Sequence, residues 1–273
     1  MDPTHARIAT ELFYTTAVPA LIREVAEILR PQGIAIMPLK GALLQRWVYG
    51  TQAFRALSDV DLLVLPARFD DARAALRATG FSVEREEPGG WEIAMRRPGG
   101  LLEVDLHRRL SSTVRSRLQP DALFARGTRD TALFGGEVVL PDARDLYCHL
   151  LLHLTLSWLA AGRLHHPEDF EAVPAALSLT PESLSRHILD VGLGDHAAMV
   201  LSHVRAATRG EFTLRLQQAL SAISPRPTLV GTAARLLCER VGPGTLGRRA
   251  AGFLLAPSWF EAGREALAKR LRP

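Results

Sequence analysis

Apolar residues recur with helical spacing at both ends of the chain and with strand spacing between them. Ile8, Leu12, Ala17, Leu21, Val25 and Leu29 keep one stripe apolar over residues 3–29, which predicts a helix stopped by Pro31-Gln32-Gly33 and kinked or divided at Pro19. Residues 34–37 are a short apolar run, read as a buried first strand that Pro38 ends. A second helix is expected at 41–49. Asp59-Val60-Asp61 then runs into Leu62-Leu63-Val64-Leu65, a buried strand that Pro66 closes. In residues 69–79, Phe69, Ala72, Ala75 and Leu76 line one side of a helix, Asp70 and Asp71 suit its first turn, and Gly80 stops it. Three strands are expected at 81–86, 91–97 and 101–108, with Pro88-Gly89-Gly90 and Pro98-Gly99-Gly100 as the turns of two consecutive hairpins. A short helix near 120–126 and a small hairpin around Gly135-Gly136 follow. From there the pattern is helical, at 143–161, 167–177, 181–191, 195–208, 211–223, 228–241 and 259–271. The fold class is α+β: a mixed sheet with flanking helices over residues 1–140, then a mostly α-helical C-terminal region over residues 141–273.

Composition narrows the function classes a little. With 47% hydrophobic and 23% charged residues, the chain can bury a full core. Aromatic residues are only 6%, so stacking platforms for single-stranded nucleic acid are scarce and a nucleic-acid partner is not expected. The net charge of +4 favours anionic partners such as a nucleotide, although an arginine-rich composition accounts for it as well. Cys148 and Cys238 stand alone in apolar helical contexts, which fits buried thiols in a reducing cytosol. The first residues lack a signal pattern and no apolar run is long enough to span a bilayer, so a cytoplasmic protein without a membrane partner is expected.

The chemistry concentrates between Lys40 and His107. On a strand, residues two apart share a face, roughly 6–7 Å apart. Asp59 and Asp61 therefore present two carboxylates side by side, costly to hold together without a cation and suited to Mg²⁺. In the segment Leu102-Glu103-Val104-Asp105-Leu106-His107, the leucines and valine face one way and Glu103, Asp105 and His107 the other. A neighbouring strand can bring Asp105 up to the pair, and three carboxylates can hold two divalent ions for phosphoryl transfer. His107 can reach a phosphate or orient a carboxylate; a surface histidine reads equally well. Lys40 stands at the entrance of the second helix, where amide donors suit phosphate oxygens; it reads as a triphosphate contact or as a solvated lysine at a turn. Arg55 suits bidentate phosphate binding or pairing with an aspartate, and Ser58 either joins the nucleotide site or caps the strand entry.

The order Leu39-Lys40-Gly41, Tyr49, Arg55, Ser58-Asp59-Val60-Asp61-Leu62-Leu63-Val64 and Val104-Asp105-Leu106-His107 resembles the uncharacterised nucleotidyltransferase family of the polymerase-beta-like superfamily. The resemblance is specific over about residues 33–110 and weaker beyond. It implies a nucleotidyltransferase-type mixed sheet, Mg²⁺ (with Mn²⁺ as the alternative ion), and transfer of a nucleoside monophosphate from an NTP, taken as ATP, with release of pyrophosphate. The acceptor would be a hydroxyl-bearing small molecule, peptide or protein. By that resemblance Asp59, Asp61 and Asp105 are catalytic metal ligands and Gly41 opens the helix that faces the triphosphate; with Lys40, Arg55, Ser58 and His107, read from the residues above, it makes up the expected nucleotide site. Two features depart from the superfamily: Ala42 stands where serine is usual, and the gap from Gly41 to Asp59 is longer. A catalytically weak or inactive nucleotide- or partner-binding protein on the same fold is the alternative.

Other motifs read as structural. His149 and His153 lie four apart on one helix, but Leu150 occupies the place where a zinc-protease helix needs glutamate. Asp169, after His165-His166, fits a polar position near a cleft. The basic, amphipathic residues 248–273 suit a docked terminal helix better than a membrane-surface one.

Overall fold

Asp59–Leu63 forms the strand that its apolar run predicts, and the main sheet is built around it. The computed structural model describes residues 13–50, 57, 59–87, 89–111, 116–162 and 164–224. Arg55, Ser58, Cys238, the helices expected at 228–241 and 259–271 and the basic tail lie outside the described residues. The described residues divide into two compact units, one drawn from residues 13–111 and 119–142, the other from residues 116–118 and 143–224.

The first unit holds a five-stranded mixed sheet with helices beside it. Its strands are β1 (Met37–Pro38), β2 (Asp59–Leu63), β3 (Ser82–Glu86), β4 (Glu92–Arg96) and β5 (Glu103–His107), in the order β1-β2-β5-β4-β3. β2 and β5 run parallel in the middle, β1 is antiparallel to β2, and β5-β4-β3 is an antiparallel meander. Helix α1 (Val18–Leu29) follows a π-helical turn at Phe13–Ala17, and Pro19 falls in its first turn. Pro19 has no amide to donate back into the π-helical turn before it, so it sets that turn apart from α1. Helix α2 (Lys40–Leu44) runs into a second π-helical turn, Gln45–Tyr49, and α3 (Phe69–Ala78) ends at Gly80, whose φ of +98° the left-handed stop requires. Helix α4 (Pro120–Arg126) leads to a hairpin of β6 (Thr128–Asp130) and β7 (Val138–Leu140).

The first strand is shorter than the apolar run 34–37 suggests. Only Met37 and Pro38 pair with β2, and on the opposite edge of the strand the Ile36 carbonyl accepts a hydrogen bond from the Val139 amide of β7 at 2.8 Å. One face of the sheet is wholly apolar: Val60, Leu62, Ile93, Met95, Val104 and Leu106 are completely buried. Each such side chain contributes about 1.5–3 kcal/mol on burial, enough to fix the register and commit the polar residues of the same strands to the other face.

The second unit is helical, with α5 (Ala143–Ala161), α6 (Asp169–Ala176), α7 (Pro181–Asp190), α8 (Gly194–Thr208) and α9 (Glu211–Ile223). Helix α5 is apolar nearly all round, and its Tyr147, Leu151 and Leu154 are buried. Cys148 is a buried thiol, His149 is buried, and Asp145 accepts a 2.7 Å hydrogen bond from His187 of α7. No described helix is long and apolar enough to cross a membrane.

Helix α9 starts after Gly210 without a side-chain cap of its own. Glu171 of α6 supplies one: its carboxylate accepts from the amides of Phe212 at 3.1 Å and Thr213 at 3.0 Å, and from the Thr213 hydroxyl. Charge-assisted bonds of this kind contribute about 1.5–3 kcal/mol. Glu171→Ala is therefore expected to lower the urea midpoint without changing the denaturant slope. An unaltered midpoint would mean that the cap adds nothing.

Candidate active site

The face opposite the apolar layer carries a row of residues in register across four strands. Asp61 of β2 pairs with Asp105 of β5, Asp105 with Ala94 of β4, and Ala94 with Arg85 of β3. Directly opposed residues share a face, so parallel pairing of β2 and β5 puts the two carboxylates side by side. The next row brings Leu63, His107 and Glu92 together. Asp61, Asp105 and His107 are all buried, and one ligand atom from each lies within 4.8 Å of the others.

A bulge chooses the residue that β3 contributes. Val83 opposes Met95, yet the next pair is Arg85 with Ala94, so Glu84 is passed over. The extra residue turns Arg85, in place of an acid, onto the site face. Its guanidinium crosses the small Ala94 and reaches Asp105 Oδ2 at 3.4 Å, Glu92 Oε1 at 3.2 Å and Glu87 Oε1 at 2.7 Å.

Asp61 is firmly neutralised. Lys40 Nζ donates to its Oδ1 at 2.5 Å, and His107 Nε2 lies 2.8 Å from the same oxygen. Burial on its own would raise the Asp61 pKa, but the Lys40 charge and the His107 hydrogen bond outweigh it and hold the carboxyl well below the usual range. Burial likewise works against the Lys40 charge, yet Asp61, with Glu92 and Asp59, leaves its pKa raised. The Lys40 backbone has a φ of +45°, an uncommon conformation for a side chain with a Cβ.

Asp105 is held quite differently. Burial, and then the carboxylates of Glu92, Asp61 and Asp59, push its pKa up to about 7, with His107 pulling the other way. Arg85 approaches from a half-exposed position where solvent screens its charge. Asp105 Oδ1 is buried and has no hydrogen-bond partner among the described residues.

Glu92 escapes the sequence reading. It sits at a polar position of a strand whose alternate residues are apolar, and nothing local marks it. In the fold it is buried, and its Oε2 lies 3.4 Å from His107 Nδ1 while the Trp91 ring packs 5.8 Å from the His107 ring. Its charge is the largest contribution after burial to the raised pKa of Asp105. Glu92→Gln is therefore expected to move the Asp105 titration down from about 7 while leaving it above an ordinary carboxyl. Carbon-detected NMR of the carboxyl groups reads this directly, and an unmoved titration would show that the two groups do not interact.

These donors suit a divalent metal ion. Two carboxylates and an imidazole converge, and the orphaned Asp105 oxygen is a buried acceptor of the kind that metal coordination satisfies. Among the described residues, this is the only such group of three. Asp59 lies beyond it, two residue pairs along the sheet and opposite Glu103, which Arg96 engages. Gly41 is buried under the Leu57 side chain, which fills the place a Cβ would take. Arg55 and Ser58 lie outside the described residues. Asp169, in the helical unit, is buried in the first turn of α6.

The model of an uncharacterised nucleotidyltransferase family matches residues 10–203. No curated protein matches in sequence. Among solved structures, the chain is similar to a tRNA-processing enzyme (apo form I) with 13% identity and a TM-score of 0.31, over 94% of this chain and 75% of that one.

Proposed function

The chain belongs to the uncharacterised nucleotidyltransferase family, and on that premise we propose that it is a Mg²⁺-dependent enzyme moving a nucleoside monophosphate from an NTP to a hydroxyl-type acceptor. ATP is the proposed donor and pyrophosphate the leaving group. The observation that carries this reading is the in-register pairing of Asp61 with Asp105, both buried, with an unsatisfied Asp105 oxygen beside them. Asp61 and Asp105 would hold the metal, with Asp59 and His107 at its margin. When bound, divalent ions supply charge neutralisation at the triphosphate and lower the pKa of the attacking hydroxyl.

The chain's own residues do the rest. Lys40 carries a cation to the mouth of the site, 21% exposed along its side chain, where it can meet phosphate oxygens. Arg85 brings a second from the edge strand. Arg55 and Ser58 are further proposed contacts to the nucleotide. Asp105, whose Oδ1 is a buried acceptor without a partner among the described residues, is the proposed acceptor of the attacking hydroxyl's proton. His107 steadies Asp61 through its Nε2 contact, and Trp91 covers its ring. Positioning and charge complementarity thus account for the catalysis without a covalent nucleophile.

The test is pyrophosphate release by the purified chain with Mg²⁺ and each of the four NTPs, over a panel of hydroxyl acceptors and candidate proteins. One observation favours the second reading, a nucleotide-binding protein with little turnover: Lys40 already neutralises Asp61. Calorimetric binding of ATP and Mg²⁺ with no pyrophosphate released, and no nucleotide adduct by mass spectrometry, would support it.

A further inference from the structure

The ammonium of Lys40 sits on one carboxylate oxygen of Asp61, an acid of the group that could hold a cation. Its Nζ lies 2.5 Å from Oδ1, the oxygen that His107 also contacts. Asp61 thus spends one oxygen on two internal partners, while Asp105 Oδ1, on the next strand, has none among the described residues. A divalent ion that enters with Lys40 in place meets a fixed positive charge at short range in a buried setting, where Coulomb repulsion is strong. The lysine can leave. Its side chain is long, flexible and one-fifth exposed.

We propose that Lys40 is a displaceable counter-ion that makes the site take a divalent cation together with a polyphosphate, and not the free cation. This rests on the nucleotidyltransferase reading. The polyphosphate draws the ammonium off Asp61, the metal replaces it there, and the charge the lysine gave up is regained on the phosphate oxygens. Substrate specificity follows at the level of chemical species: the complex of metal with nucleoside triphosphate is bound, and the isolated ion is discriminated against. Because binding energies are reciprocal, metal and nucleotide must each raise the affinity for the other by the same factor.

The experiment is isothermal calorimetry of the full chain with Mn²⁺ alone, with the non-hydrolysable α,β-methylene analogue of ATP alone, and with each in the presence of the other. The wild-type chain is expected to bind each alone weakly and to show mutual tightening of about tenfold or more. Lys40→Met, with its fold checked by circular dichroism, is expected to bind Mn²⁺ alone about tenfold more tightly and to lose most of the coupling. Independent binding of the two ligands to the wild-type chain overturns the proposal, whatever the variant does. Equal Mn²⁺ affinity of the wild-type and variant chains overturns it as well. If Mn²⁺ binds under none of these conditions, the metal-dependent transferase reading falls with it, whereas binding without coupling removes only the counter-ion role.

Discussion

Asp61→Asn is expected to abolish nucleotide transfer, with a loss of at least about a thousandfold in kcat/KM, since metal-assisted charge stabilisation supplies several kcal/mol and each 1.36 kcal/mol is tenfold in rate. The same substitution also touches stability, which complicates its interpretation. It removes the negative charge opposite Lys40 and leaves a part-buried ammonium with a neutral amide in place of the carboxylate. Breaking one partner of a buried pair costs about 3–5 kcal/mol. The fold and the chemistry are separated by the double variant Lys40→Met with Asp61→Asn, which removes both charges at once. It is expected to recover much of the stability lost in the single variant, as a double-mutant cycle by urea denaturation, while transfer stays abolished. Turnover retained by Asp61→Asn in a metal-replete assay would count decisively against the proposed mechanism.

The carboxylate pair was legible because strand alternation is a strong local signal. The residues of β2 and β5 divide into apolar and polar faces in the sequence itself, and the buried layer of Val60, Leu62, Val104 and Leu106 enforces that division. The helices α3, α7 and α9 were legible for a similar reason, with apolar stripes and explicit stops, and α5 through the length of its apolar run. What stayed hidden depends on pairing across the chain. Arg85 reaches Asp105 only because a bulge passes over Glu84, and a bulge leaves no mark in a run such as Ser82-Val83-Glu84-Arg85-Glu86. Glu92 joins the site only through the register of the β4–β5 hairpin, which places it opposite His107. Lys40 was visible as a cation at a helix entrance, but its grip on Asp61 follows from the adjacency of α2 and β2 in space. The short β1 shows the limit in the other direction: its apolar run is real, but Ile34 and Ile36 are buried without pairing to β2, and the Ile36 carbonyl bonds to β7 on the opposite edge.

Asp105 should make both stability and metal binding depend on pH around neutrality. An ordinary aspartate has a pKa near ~4, whereas Asp105 is pushed up to about 7, chiefly by burial. Between these values the unfolded chain has released the proton and the folded chain still holds it. The folded state therefore binds more protons, and the Asp105 contribution to stability is full below about pH 4 and is lost as pH rises towards 7. Asp61 has the opposite sign: its folded pKa is depressed, so its contribution is present above about pH 4 and is lost as the medium becomes more acidic. A metal ligand must be ionised, so Mg²⁺ has to expel the Asp105 proton below about pH 7, at a loss of about tenfold in affinity per pH unit. Thermal melts of the full chain at pH 5 and pH 8 check this. Mg²⁺ added together with the non-hydrolysable α,β-methylene analogue of ATP is expected to raise Tm above that with the analogue alone at pH 8 and to add little at pH 5, and Asp105→Asn is expected to remove this Mg²⁺ effect at both. Stabilisation by Mg²⁺ that is equal at the two pH values would show that Asp105 is not the group the ion must deprotonate. The logic turns on the contrast between the two acids: Asp61 is already compensated by Lys40 and His107, and Asp105 is left for a cation to complete.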